Sequence, residues 1–188
     1  LKTLLKGPVR RPRFGMYTGR TPYPGINDPD KNKNLGKLMS KNYIDCKEEI
    51  LEKLYEIGRI PSKDLDAFIK RLLKGEQITG ENDSELFTRK EMQDICPDLL
   101  ITNYSMLEYM LMRPIEQCFW NKTKDWLNSS SKNKLLLVID EAHMYRGAAG
   151  GEVSLLIRRL MDKLGISRNK IRCIITSASV PKGKDEEI

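Results

Sequence analysis

Three side chains capable of chemistry directly follow an apolar run late in the sequence. In LLLVIDEAHMYRG, residues 135–147, the run ends in Asp140 and Glu141, and His143 is the only histidine of the chain. Unpaired charges are costly to bury in an apolar sheet, so a strand here would hold both acids at its rim. Such a pair suits nucleotide chemistry, with Asp140 holding Mg²⁺ through water and Glu141 orienting the water that attacks a γ-phosphate. The alternative is an acidic turn at the start of a helix.

The elements that must position these acids form an alternating pattern of strands and helices. Strands are predicted at Phe14–Thr18, Leu99–Thr102, Leu135–Ile139 and Arg172–Thr176. The last three are apolar without alternation, which is typical of parallel strands covered on both faces. We therefore expect an α/β fold with a parallel sheet flanked by helices, and ligands at the carboxyl ends of its strands.

Apolar periodicity and capping residues predict the helices. They are expected at Lys41–Ile57, at 63–74, after a capping box formed by Thr88 and Glu91, at Ser105–Met112 and at 151–164. Residues 27–85 separate two predicted strands by more than an ordinary crossover requires. We interpret them as an insertion, with a loop in TPYPGINDPDKNKNLGK followed by helices between Tyr43 and Gly75.

Charge is distributed unevenly along the chain. Residues 1–42 hold ten Lys and Arg against two Asp, a balance of +8, whereas the remaining residues hold 23 against 24, a balance of −1. A basic segment of this kind suits a polyanion such as nucleic acid, and a solvated segment is the alternative.

Cysteine spacing and hydropathy bear on the compartment. Cys46, Cys96, Cys118 and Cys173 form no CxxC pair, so we expect reduced thiols in a cytoplasmic protein. His143 is not expected to bind a metal directly, because no second histidine exists and the cysteines lack ligand spacing. No apolar run is long enough to span a membrane, so no membrane partner is expected.

Four short motifs, in order, each follow a predicted strand and together carry a resemblance. They are Tyr17-Thr18-Gly19-Arg20, the segment ITNYSML at 101–107, Asp140-Glu141-Ala142-His143 and Thr176-Ser177-Ala178-Ser179. They resemble the T-G motif, the Thr-Asn segment, the DEAH Walker B motif and the S-A-T motif of superfamily-two DEAD/DEAH-box helicases. DEAHMYRGAAGGEVSLLIRRL and ITNYSMLEYMLMRP resemble the MrfA-like branch of large DNA helicases.

The resemblance implies a partial RecA-like domain of the P-loop NTPase class, using ATP and Mg²⁺. By it, the catalytic residues are Asp140, Glu141 and His143, and the coupling residues are Ser177 and Ser179. Residues contacting the nucleic-acid backbone, with DNA favoured over RNA, are Thr18, Gly19, Arg20, Thr102 and Asn103. Capping by the serines and turn chemistry at Asn103 are the alternatives.

Two departures from the family pattern stand out. Ser179 replaces the usual Thr, which preserves the hydroxyl, and no G-x-x-x-x-G-K-[ST] loop occurs. We therefore expect residues 1–188 to be the C-terminal half of the first RecA-like domain. Its partners would be the Walker A segment and second RecA-like domain of its own motor, and the fragment alone would be inactive. The alternatives are a binding module with a vestigial ATPase site, or a restriction- or defence-type translocase on duplex DNA without unwinding.

Overall fold

The computed structural model describes residues 11–22 and 27–177, which form two compact units. The first ends at Leu107 and the second begins at Glu108. The helices are α1 (Pro29–Tyr43), α2 (Glu48–Glu56), α3 (Leu65–Leu73), α4 (Arg89–Ile95), α5 (Tyr104–Met112), α6 (Gln117–Ser129) and α7 (Ala148–Leu164). The strands are β1 (Phe14–Tyr17), β2 (Glu85–Leu86), β3 (Leu99–Thr102), β4 (Leu135–Ile139) and β5 (Ile171–Ile175). Parallel strands flanked by helices confirm the expected α/β class.

The first unit contains a parallel sheet in the order β2-β1-β3. In its register Phe14 lies opposite Leu99, and Tyr17 lies opposite Thr102. Thr102 is a predicted nucleic-acid contact, and Tyr17 directly precedes another, Thr18. The two residues therefore end their strands side by side. The carboxyl ends of both strands share one edge of the sheet, where ligands bind in open α/β folds.

One hydrophobic cluster of the first unit lies between α1 and α3. Its buried members are Met39 from α1 and Phe68, Ile69 and Leu72 from α3. A Cβ atom at Gly36 would lie 3.0 Å from the Cβ of Leu72, closer than side chains normally pack. The glycine therefore allows the two helices to approach closely.

The second unit contains β4 and β5, paired in parallel from Leu135 opposite Ile171 to Ile139 opposite Ile175. Helix α7 follows β4 and buries Leu156, Leu160 and Leu164. It ends at Gly165, which adopts the left-handed conformation with φ of 62°. Glycine adopts this conformation without the steric cost of a side chain, which explains the predicted stop.

Most predicted elements occur close to their predicted bounds. The strand predicted at Arg172–Thr176 begins and ends one residue earlier, and the other three predicted strands agree to within a residue. The capping box of α4 is present, because Thr88 and Glu91 bond to each other's backbone N–H groups. These elements depend on signals within a few residues, which sequence patterns capture well.

Two predictions in the segment 27–85 were wrong. The stretch interpreted as a loop contains the first part of α1, because the Asp28 side chain accepts hydrogen bonds from the N–H groups of Asp30 and Lys31. Pro29 occupies the first turn, where its missing N–H costs nothing. The single helix expected at Lys41–Ile57 is interrupted between α1 and α2. Both Ile44 and Asp45 donate backbone bonds to the Ser40 carbonyl there.

The strands of the second unit are less covered than their composition predicted. Leu136 of β4 is 57% exposed and Val138 is 52% exposed. The burial of β4 alternates along the strand, so one face is open within the described residues. The described helices of this unit therefore do not cover both faces of the two-stranded sheet.

The described residues also bear on the membrane and thiol expectations. None of their helices combines the length and apolar character that a membrane span requires. Cys46, Cys96, Cys118 and Cys173 form no disulfide among the described residues.

Substituting Gly36 with leucine should destabilise the first unit. The added side chain would overpack the α1–α3 contact, and we expect the free energy of unfolding to fall by about 2 kcal/mol. Chemical denaturation measures this change. Lys37→Leu, on the exposed side of the same helix, should change it by less than about 0.5 kcal/mol. Equal effects from both variants would contradict the close helix contact.

Candidate functional site

The acidic residues singled out in the sequence lie at the carboxyl end of β4, next to the end of β5. The backbone ladder continues past both strands, with the Thr176 N–H donating to the Ile139 carbonyl at 2.9 Å. The Ala142 N–H donates in turn to the Thr176 carbonyl, also at 2.9 Å. The loop that begins with Asp140 and Glu141 is thereby joined to the loop that begins with Thr176.

The carboxylate of Asp140 is exposed and held by two donors. The Thr176 hydroxyl and the Glu141 N–H, the latter at 3.0 Å, both donate to its Oδ1 atom. These two hydrogen bonds hold the pKa of Asp140 below its usual range. The bond from the Thr176 hydroxyl has the larger effect, and the bond from the Glu141 N–H the smaller one. The group is therefore ionised at neutral pH and can present negative charge to a cation.

Glu141 adopts a backbone conformation that is uncommon for its residue type. Its φ is 51° and its ψ is 44°, in the left-handed region. Among the described non-glycine residues only Cys96 also has a positive φ. Such strain is often retained at functional sites, where it directs a side chain. Here the Glu141 carboxylate reaches to 3.1 Å from Nδ1 of His143.

His143 connects the two loops through one ring nitrogen. It lies in a short 3₁₀ turn, Ala142–Met144. Its Nδ1 is 3.1 Å from the Ser177 hydroxyl as well as 3.1 Å from the Glu141 carboxylate. A carboxylate only accepts, so the geometry favours the tautomer with hydrogen on Nδ1 and with the serine oxygen accepting. His143 thus contacts residues of both loops.

The predicted site residues of the S-A-S segment are only partly described. Ser177 lies beside His143, whereas Ser179 lies outside the described residues. Sequence analysis placed Thr176 at the start of this motif but gave it no role, whereas its hydroxyl bonds to Asp140. Its only sequence signal is a hydroxyl residue at the very end of a strand that precedes Ser177.

The oxygen donors at this edge fit a hard cation that brings other ligands with it. No group of three or more His, Cys, Asp or Glu side chains suited to a metal occurs in residues 11–22 or 27–177. Mg²⁺ characteristically takes one or two carboxylates and completes its shell with water and phosphate oxygens. Ionised Asp140, with Glu141 beside it, fits that requirement for a magnesium–nucleotide ligand.

The predicted nucleic-acid residues lie at the sheet edge of the first unit. The Thr102 hydroxyl donates to the Tyr17 carbonyl at 2.7 Å, which joins the ends of β3 and β1. Asn103 accepts from the Met106 N–H at 2.8 Å, so its Oδ1 does perform the turn chemistry considered as an alternative. Their contacts to nucleic acid stay predictions.

The residues after β1 form a tight turn with an open front. The Thr18 N–H donates to the Thr21 hydroxyl at 2.8 Å, and the Arg20 N–H lies 3.3 Å from the Thr18 hydroxyl. A Cβ atom at Gly19 would meet nothing within 4 Å. Arg20 is exposed, and no described acid forms an ion pair with it. This turn presents backbone and one cation to solvent.

Removing the Thr176 hydroxyl should raise the pKa of Asp140 toward its ordinary value. Thr176→Val deletes the larger of the two stabilising hydrogen bonds, whereas Thr176→Ser keeps a hydroxyl and should retain the lowered pKa. The pH titration of the Asp140 carboxyl carbon by NMR measures both. An unchanged pKa in Thr176→Val would show that this hydrogen bond does not hold the carboxylate.

Comparison with known proteins identifies the family. The chain is 47% identical to Druantia protein DruE of Escherichia coli over 210 residues, 99% of this chain and 11% of that protein. It is 30% identical to the uncharacterized ATP-dependent helicase MJ1574 of Methanocaldococcus jannaschii over 113 residues, 60% of this chain and 15% of that protein. No solved structure matches the chain.

The chain thus spans less than a fifth of the length of either relative. The finer assignment to the MrfA-like branch stays a prediction. The family model for DEAD/DEAH box helicases matches residues 48–187, most of the sequence and all of the acidic loop. The chain therefore belongs to the DEAD/DEAH box helicase family.

Proposed function

We propose that the chain is part of an ATP-dependent helicase or translocase that acts on nucleic acid, with DNA as its substrate. The observation that carries the proposal is the junction of the two loops, in which Asp140 contacts Thr176 and His143 contacts both Glu141 and Ser177. This arrangement places acids for nucleotide chemistry next to a segment that can sense their state.

The acids divide the nucleotide chemistry between them. Asp140, ionised and exposed, would hold Mg²⁺. The bound ion would supply neutralisation of the phosphate charge. Glu141 accepts a hydrogen bond from the attacking water, orients it and takes its proton. Glu141 has a left-handed backbone conformation, and its carboxylate lies 3.1 Å from Nδ1 of His143.

His143 then passes the state of this site to the S-A-S segment. Its Nδ1 contacts both Glu141 and Ser177, so a change of charge or position at Glu141 alters the bond to Ser177. We propose that Ser177 and Ser179 transmit hydrolysis to movement of nucleic acid.

The turn after β1 and the residues after β3 are proposed to contact the nucleic-acid backbone. The backbone N–H groups around Gly19 and the guanidinium of Arg20 suit phosphate oxygens. Thr102 and Asn103 end the neighbouring strand at the same sheet edge. Contacts of this type fix position along a strand without reading its sequence.

The remaining parts of the motor are proposed to lie in other regions of the intact protein. Residues 1–188 contain no G-x-x-x-x-G-K-[ST] loop. A phosphate loop and a second RecA-like domain with an arginine finger would complete the site. Chain 1–188 by itself is therefore expected to hydrolyse no ATP.

Glu141→Gln in the intact protein should reduce ATP turnover by at least about 100-fold, because it removes the proposed base. Nucleotide binding should be nearly unchanged, since the glutamine keeps the shape of the side chain. Turnover by a phosphate-release assay and binding of a fluorescent ATP analogue measure the two effects. Glu152→Gln, an exposed carboxylate on α7, is the matched control and should behave as wild type.

Two outcomes would count against this mechanism. Undiminished turnover in Glu141→Gln would exclude the base, and an intact protein without any turnover would favour the binding module with a vestigial site. A strand-displacement assay on the intact protein separates unwinding from translocation on duplex DNA.

Arg20→Gln in the intact protein should weaken binding to single-stranded DNA and reduce its salt dependence. Removing one phosphate contact lowers the slope of log Kd against log salt by about 0.7 to 1. Fluorescence anisotropy over a salt series measures this slope. Lys124→Gln removes an equal charge from exposed α6, outside the basic segment of residues 1–42, and it should leave the slope as in wild type.

A further inference from the structure

A buried arginine lies directly behind the turn that follows β1. Arg89, the first residue of α4, is 6% exposed. Its Nη2 atom donates to the Thr18 carbonyl at 2.5 Å, across 71 positions of sequence. Its guanidinium carbon also lies 5.1 Å from the centre of the Tyr17 ring. The side chain therefore contacts both the last residue of β1 and the first residue of the turn.

The backbone of the same residue holds the far end of the turn. The Arg89 N–H donates to the Pro22 carbonyl at 3.1 Å. Between these two points, the Thr21 hydroxyl accepts from the Thr18 N–H at 2.8 Å and donates to the Met16 carbonyl at 2.5 Å. Arg89 thus bonds to both ends of the turn, and Thr21 forms hydrogen bonds inside it.

Helix α4 is itself anchored by buried charges. Lys63 and Glu91 pair at 2.5 Å with their side chains 0% and 2% exposed. The Glu91 carboxylate also accepts from the N–H groups of Phe87 and Thr88, at 3.0 and 3.1 Å. Removing one partner of such a pair typically costs 3–5 kcal/mol, so α4 is firmly placed. The backbone position of Arg89, the first residue of α4, is therefore fixed.

Burying a charged guanidinium costs free energy that the packing of its side chain does not offset. Among the described residues no carboxylate pairs with Arg89, and its Nε atom is buried without a hydrogen-bond acceptor. Its partners are a neutral carbonyl and an aromatic ring, which only partly offset desolvation. The charge that remains lies directly beneath a turn whose front is open.

We propose that Arg89 is a positioning residue that sets the Thr18–Arg20 turn in the conformation that receives a nucleic-acid phosphate. This inference rests on the proposed nucleic-acid function of that turn. Because Arg89 is buried, it acts through the Thr18 backbone and does not touch the phosphate. Its loss should therefore weaken binding without removing a counterion-releasing contact, unlike the loss of Arg20.

The test compares variants of the intact protein for binding to fluorescein-labelled oligodeoxythymidine over a salt series. Arg89→Met should raise Kd about tenfold, the loss expected for a hydrogen bond to a charged group, with the salt slope of wild type. Arg89→Lys keeps a charged donor and should recover part of the affinity. Lys90→Met, the neighbouring residue paired with Asp94, should bind as wild type.

A second variant guards against simple loss of folding. Thr21→Val removes the two hydroxyl bonds of the turn without touching α4, and it should reproduce a raised Kd with unchanged slope. Thermal unfolding reports the folded fraction of each variant. Wild-type affinity in folded Arg89→Met would overturn the inference, and so would a slope reduced as in Arg20→Gln, since Arg89 would then be a direct contact.

The experiment also separates failure of the proposed nucleic-acid binding from failure of the role of Arg89. If the wild-type protein does not bind the oligonucleotide, the proposed function and this inference both fall. If wild type binds and Arg20→Gln weakens it while Arg89→Met does not, only the positioning role of Arg89 is lost.

Discussion

The parallel register between β4 and β5 is the constraint on which the acidic loop depends. Ile139 lies opposite Ile175, so the first residue beyond each strand emerges at the same edge. Two further backbone bonds continue this ladder into the loops. A shift of one residue would turn every side chain to the other face of the sheet. Asp140 and Thr176 would then no longer meet.

Strand register also brings two strand ends together in the first unit, but different side chains hold them there. Tyr17 lies opposite Thr102, and the Thr102 hydroxyl joins the two strand ends by bonding to the Tyr17 carbonyl. The acidic loop is held by exposed polar side chains and contains a strained glutamate. The turn after β1 is instead held from beneath by buried Arg89. Exposed negative charge suits a cation, whereas open backbone beside positive charge suits an anion.

Local sequence signals predicted much of this arrangement. Short apolar runs marked four strands, and the position of Asp140 directly after one of them followed from the run itself. The errors arose where two local signals competed. Pro, Gly and Asn suggested a loop at 21–37, but Asp28 caps the helix and Pro29 favours its first turn. Helix α6 and the two-residue strand β2 were not predicted, and β2 is too short to leave a pattern.

The sequence by itself determined the α/β class, most strand and helix positions, and the placement of both acids at a strand end. These depend on residues a few positions apart. Tertiary structure alone decided that Thr176 bonds to Asp140, that Gly36 faces Leu72 and that Arg89 lies beneath Thr18. Strand register and helix packing bring these pairs together across long stretches of chain. Such contacts are set by the whole unit's packing, so no local pattern records them.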